Sequence, residues 1–330
     1  MQFPQSHLPT GPTCGPCYLL ECSTVTHRLI CGWILVAGVL LADLGLIRSA
    51  FSADLLELKD QDRVVLVGAT FIEREGQFGH LETALTTAWP DRRLTFRNLG
   101  WSGDTVWAES RGIFDPAQVG YQRMIELIKE LKPTVIIFGY GQNESFAGDA
   151  GLDPFTRQFE KLCDDVKPTG ARLAFLTPTR FERPIPPLPD ISRRNTMLAK
   201  YAQAVRAVAE KLNAPVIDLF AMDPSPTNLT ENGMHFGPSG YAYLAQVIQK
   251  QLKAGPTAVK PELQAEVRQR IVEKNELFFH RWRPQNITYL TGFRKHEQGN
   301  NAVEIAQFDP LVEKLETTIN DLKKTGQAAN

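Results

Sequence analysis

The stretch "RVVLVGATFIERE", residues 63–75, reads as a buried strand that ends in a loop. Val64, Val65, Leu66 and Val67 are apolar without alternation, the pattern of a strand covered on both faces. Gly68 breaks the run, and a hydroxyl residue, Thr70, follows two positions later. From here on, short apolar runs recur at 94–98, 134–139, 172–176 and 215–219. Between them lie segments with helical spacing: Phe78, Leu81, Leu85 and Trp89 share one face, as do Met124, Leu127, Ile128 and Leu131. Phe155, Phe159, Leu162 and Val166 repeat the pattern, and Met197, Tyr201, Val205 and Val208 follow it again. Apolar runs alternating with amphipathic helices predict an α/β fold, a doubly wound five-stranded parallel sheet closed by a helix near 238–253. The Pro-rich segment "TPTRFERPIPPLPD" (177–190) reads as a long stiff loop.

In an open parallel sheet a ligand sits beyond the carboxyl ends of the strands, so the polar residues after each strand are the informative ones. Thr70 follows the first strand, and "NLGWSGDT" follows the second with Ser102, Gly103 and Asp104. "GYGQNES" follows the third with Asn143 and Glu144, and "TENGMHFGPSGY" precedes the last helix with Glu231, Asn232 and His235. A hydroxyl, a glycine N–H, a side-chain amide and a histidine on one rim are what acyl transfer needs. Each residue also has a plainer role available. Thr70 suits a turn brace, Asp104 a helix cap, Glu144 a loop brace, and Ser102 is the nearest alternative hydroxyl.

These four blocks resemble those of the SGNH (GDSL-type) hydrolases, esterases and lipases on a flavodoxin-like three-layer sandwich. The resemblance covers about residues 60–253, and the whole chain resembles an exported bacterial subgroup of SGNH hydrolase-type esterases. It implies Thr70 as nucleophile, Gly103 and Asn143 as oxyanion donors and His235 as base, with no cofactor or metal. It also implies hydrolysis of carboxylic esters, with O-acyl groups of carbohydrates as one substrate class. Three positions depart from the family pattern. Ala69 stands for the block-one aspartate, Thr70 for the serine, and Asn232 for the carboxylate three residues before the histidine. Glu231 is one position away from that carboxylate site. The rival expectation is therefore a ligand- or carbohydrate-binding protein that keeps the pocket and has lost turnover.

Outside the sandwich, the leader (1–53) carries His27 and Arg28 before an apolar run, Leu29 to Ala42, with small residues near Ser52 and Ala53. This predicts an export signal or a membrane anchor, and a periplasmic or extracytoplasmic address. The leader before the apolar run is long and poor in positive charge, so the start of translation is expected further in. Four of the five cysteines lie in the leader, which leaves Cys163 alone in the mature chain and predicts no internal disulfide. A formal net charge of −1 gives no reason to expect nucleic acid as a partner. After the domain at 54–253 comes an extension, 254–330. Its aromatic and basic block at 277–305, with Trp282, Arg294, His296 and Glu297, is expected either to pack back on the sandwich or to wall the rim.

Overall fold

In the computed structural model, residues 55–252 and 259–325 are described, and they lie within one compact unit. The expected leader, with its export or anchor signal, lies outside the described residues. Among the described residues no helix is long and apolar enough to cross a membrane.

The sheet has five strands: β1 (Arg63–Gly68), β2 (Thr95–Gly100), β3 (Val135–Gly139), β4 (Arg172–Leu176) and β5 (Val216–Ile217). All are parallel, in the order β2-β1-β3-β4-β5. The doubly wound five-stranded α/β sandwich expected from the run pattern is the fold of the chain. Alternate residues of β1 feed opposite cores. Val65 and Val67 pack with Phe138, Phe155 and Phe159 on one face, and Val64 and Leu66 with Leu81, Leu85 and Leu244 on the other.

The register places Gly68 opposite both Gly100 and Gly139, so three strands end level. Two of these positions need glycine for space. A Cβ on Gly68 would lie 2.6 Å from the Gly139 carbonyl, and one on Gly100 would lie 2.1 Å from the Glu73 amide nitrogen. Helix α1 (Thr70–Phe78) therefore starts hard against the end of β2, beside the point where the strand order reverses between β1 and β3.

The first helical segment differs from the expected single helix over 78–89. Gly79 adopts φ 65°, which ends α1 and lets α2 (His80–Ala88) begin in a new direction. Glu75 holds the corner, its Oε1 accepting from the amides of Leu81 (2.7 Å) and Glu82 (3.1 Å). Its Oε2 is buried without a partner, and burial pushes its pKa up to about 8. In the unfolded chain this carboxyl ionises near 4.5, so between the two values the native state holds the extra proton. Stability is thus full below pH 4.5 and declines as pH rises towards about 8. Glu75→Gln keeps the acceptor and removes the titration. Urea midpoints measured across this window are expected to fall less in the variant than in the parent.

The remaining helices are α3 (Ala117–Glu130), α4 (Leu152–Val166), α5 (Asn195–Lys211) and α6 (Pro238–Gln251), followed by the extension. There α7 (Pro261–Trp282) and α10 (Phe308–Thr325) enclose two short helices, α8 (Ile287–Leu290) and α9 (Lys295–Gln298). The long pair covers the otherwise open β2 edge, a place where unpaired strand groups need cover. Arg97 of β2 lies over the Phe278 ring at 5.2 Å and pairs with Glu316 of α10.

Candidate active site

The loop after β2 is held from below. Arg111 is 4% exposed; its Nε donates to Asp104 Oδ2 at 2.6 Å and its Nη2 to the Leu99 carbonyl at 2.8 Å. Tyr140 OH donates to the same Asp104 oxygen at 3.3 Å. Asp104 is fully buried, so it does not face a ligand; it anchors the loop that carries Gly103. Burial raises its pKa and the Arg111 guanidinium opposes that shift. Glu144 is likewise buried, and its two oxygens accept from the Val106 amide (2.9 Å) and the Gly141 amide (2.8 Å). Burial pushes it up to about 7. It ties the β2 and β3 loops together and presents neither oxygen to the rim.

Above this base, three of the blocks meet. The Gly103 N–H donates to Thr70 Oγ1 at 3.0 Å, and Asn143 Nδ2 donates to the Asp104 carbonyl at 2.7 Å. The loop's φ of 75° at Gly103 turns that amide toward the threonine. Thr70 is the first residue of α1, where backbone N–H groups lack helical acceptors and favour developing negative charge. The Thr70 hydroxyl, the Gly103 amide and the Asn143 side chain are thus gathered at one rim by these two contacts.

The histidine loop is tied to α1 by other contacts. Arg74 Nη2 donates to the Phe236 carbonyl at 3.2 Å and pairs with Glu231 at 2.8 Å, and Tyr241 OH donates to the Phe71 carbonyl at 2.7 Å. The Glu231 carboxylate is therefore engaged by Arg74; the Glu231 N–H donates to the His235 carbonyl at 2.8 Å, but no hydrogen bond joins the carboxylate to the His235 ring among the described residues. Nor does one join His235 to Thr70.

His235 Nδ1 faces Asn232 Nδ2 at 3.1 Å. The orientation of that amide is fixed from its other end, because Asn232 Oδ1 accepts from the amides of Met234 (3.1 Å) and His235 (2.9 Å). Nδ2 must donate, so Nδ1 of the neutral ring accepts and the ring proton sits on Nε2. Burial, then the Arg74 charge, lowers the pKa of His235, while Glu231 acts the other way.

Ser102 is engaged elsewhere: its hydroxyl donates to Glu73 Oε1 at 2.7 Å and its amide to Glu73 Oε2 at 2.8 Å. Glu73 in turn pairs with Arg283 at 2.7 Å, and the Arg283 guanidinium stacks over Trp101 at 3.5 Å. Trp282 packs edge-on to Trp101, ring centroids 5.8 Å apart. The end of α7 thus reaches the block-two loop through Trp282 and Arg283. His296 remains exposed, and Arg294 pairs with Glu297 at 2.6 Å within its own segment. Arg74, Glu73 and Arg283 were not singled out from sequence. The helical spacing of Thr70, Glu73 and Arg74 along α1 is the signal that could have found the first two.

A GDSL-like lipase/acylhydrolase family model matches residues 69–243, which span the rim from Thr70 through His235. The chain belongs to this family. Among curated proteins none matches it. A solved structure of BT4096, a gut microbial diltiazem-metabolizing enzyme, is similar with TM-score 0.58 at 11% identity, over 82% of this chain and 97% of its own. The acetylxylan esterase Axe2 from Geobacillus stearothermophilus is similar with TM-score 0.47 at 16% identity, over 60% of this chain and 96% of its own. LAE5, an alpha/beta hydrolase enzyme from the metagenome of Lake Arreo, Spain, gives 0.46 at 18%, over 60% and 97%. At 11% identity the likeness to BT4096 is one of fold.

Proposed function

We propose that this family member is an exported hydrolase of carboxylic esters in which Thr70 is the nucleophile. The contact of the Gly103 N–H with Thr70 Oγ1, 3.0 Å, carries the reading, since it holds a backbone donor beside the hydroxyl, where an ester carbonyl oxygen can take its place as the acceptor once a substrate binds. In the reaction, Thr70 Oγ1 bonds to the ester carbonyl carbon and passes its proton to His235 Nε2, which accepts only in the tautomer that carries the ring proton on Nδ1, the reverse of the one Asn232 favours. The carbonyl oxygen takes up negative charge facing the Thr70 and Gly103 amides and the Asn143 side chain. Collapse expels the alcohol, which takes the proton from His235, and water repeats the sequence on the acyl-threonine. O-acylated carbohydrates are the proposed substrates. The support for a sugar is the pair of half-buried indole rings, Trp101 and Trp282, beside the block-two loop, with the Arg283 guanidinium already covering one face of Trp101. Export is supported by the apolar run after His27 and Arg28 and the small residues near Ser52.

A second reading has its own observation. With Asn232 donating to Nδ1, the neutral imidazole carries its proton where it should accept the threonine's. That favours a protein that binds an ester carbonyl and turns it over slowly or not at all. Hydrolysis of a short-chain p-nitrophenyl ester, with Thr70→Ala and His235→Ala as controls, separates the two. The enzyme reading expects activity that both changes abolish; activity indifferent to both, or none at all, supports the binding protein. Asn143→Ala is expected to lower kcat by about 10²- to 10³-fold, the scale of one lost oxyanion donor, with little change in KM.

A further inference from the structure

The loop that misplaces the histidine's proton also assembles the parts of an intramolecular acyl transfer. We infer that Asn232–Gly233 is a self-modification site, at which the Gly233 nitrogen closes on the Asn232 side-chain amide and hydrolysis leaves aspartate at position 232. Its functional consequence rests on the ester-hydrolase reading above; the chemistry stands on the loop itself.

Gly233 has no side chain to obstruct its nitrogen, and its φ is 86°. Only glycine fits, since a Cβ there would lie 2.7 Å from the Glu182 carbonyl. The Gly233 N–H donates to Thr230 Oγ1 at 3.1 Å, and that hydroxyl donates to the Glu182 carboxylate. The nucleophile's proton therefore has a path to a carboxylate through one hydroxyl. At the electrophile, two backbone donors, Met234 N–H and His235 N–H, already polarise Asn232 Oδ1. The nitrogen that must leave, Nδ2, lies 3.1 Å from His235 Nδ1. Asn232 is itself exposed, so water reaches the ring that forms.

The step balances without an outside oxidant or reductant. A bond forms between Gly233 N and Asn232 Cγ and the amide proton passes through Thr230 Oγ1 to the Glu182 carboxylate; Nδ2 takes a proton from solvent water as the Cγ–Nδ2 bond breaks, ammonia leaves, and Glu182 returns its proton to the solvent. The product is a five-membered succinimide. Water adding at Cγ breaks the new Cγ–N bond, restores the ordinary backbone and leaves a carboxylate beside His235. The two donors on Oδ1 favour opening at that carbon over the main-chain carbonyl, which would give isoaspartate instead. Aspartate at 232 can accept from Nδ1–H and so free Nε2 as a base.

The full-chain protein, held at mildly alkaline pH and sampled over time, tests this. Peptide mapping by mass spectrometry reads asparagine, aspartate and isoaspartate at position 232, and p-nitrophenyl acetate hydrolysis is assayed on the same samples. Asn232→Gln is the slow-converting control, and Asn232→Asp marks the endpoint. Conversion to aspartate is expected, with activity rising in proportion to the converted fraction and staying flat in Asn232→Gln. Thr230→Val should slow conversion by about 10²-fold, the scale of a lost general base. Asparagine that persists where a free peptide of residues 228–238 converts overturns the inference, as does accumulation of isoaspartate in place of aspartate. An Asn232→Asp protein with no activity instead refutes the hydrolase reading, while the mass data still decide the modification.

Discussion

Replacing Asn232 by aspartate is expected to raise kcat/KM for a short-chain ester by about 10²- to 10⁴-fold. In serine proteases the reverse exchange costs about 10⁴ through the wrong imidazole tautomer, and the same cause is visible here. Asn232 Oδ1 is occupied by two backbone amides, so its NH₂ group faces His235 Nδ1. The tautomer needed for catalysis would set two donors against each other. A carboxylate keeps both backbone contacts through one oxygen and offers the other to Nδ1–H. It also favours the imidazolium, so the acid limb of the pH–rate profile should move to higher pH than in the parent. A pH–rate series on freshly purified parent and variant checks both points. An unchanged rate would mean that proton transfer to His235 does not limit turnover.

Lys274→Ala is expected to cost about 3–5 kcal/mol of folding stability, read from urea unfolding. Lys274 is 1% exposed, and its Nζ donates to Glu82 Oε1 at 2.6 Å and to the Phe96 carbonyl at 3.1 Å. Asn275 Nδ2 reaches the other Glu82 oxygen at 3.1 Å. Removing the ammonium strands a carboxylate that is itself almost fully buried, and burial already raises the Glu82 pKa against the pull of Lys274. A Lys274→Met, Glu82→Leu pair, which deletes both charges, should recover most of the loss. Because the pair joins α7 to α2, the same result shows that the extension contributes to the stability of the sandwich. If Lys274→Ala unfolds like the parent, the extension contributes little to that stability.

The alternation of apolar runs with helical spacing carried the sheet, since a strand buried on both faces must be continuously apolar. Gly79 was harder to read, because the helical pattern of Phe78, Leu81 and Leu85 continues across it unbroken. Position after a strand end brought Thr70, Gly103 and Asn143 together, and the register of Gly68 with Gly100 and Gly139 explains why. Asp104 and Glu144 sit in the same blocks yet turn inward, and nothing in local sequence gives that direction. The absence of a carboxylate three residues before His235 was legible; the direction of the Asn232 amide depends on backbone donors that only a folded loop supplies. Arg74 and Arg283 carry no motif, and their roles arise from contacts across 157 and 210 residues of chain, Arg74 to Glu231 and Glu73 to Arg283.

The central claim is that Thr70 attacks the acyl carbon. A fluorophosphonate probe applied to the Asn232→Asp protein, followed by mapping of the labelled peptide, tests it most directly. A label on Thr70 that is lost with His235→Ala is expected. A label on Ser102, or none on a protein that still hydrolyses the ester, would contradict it.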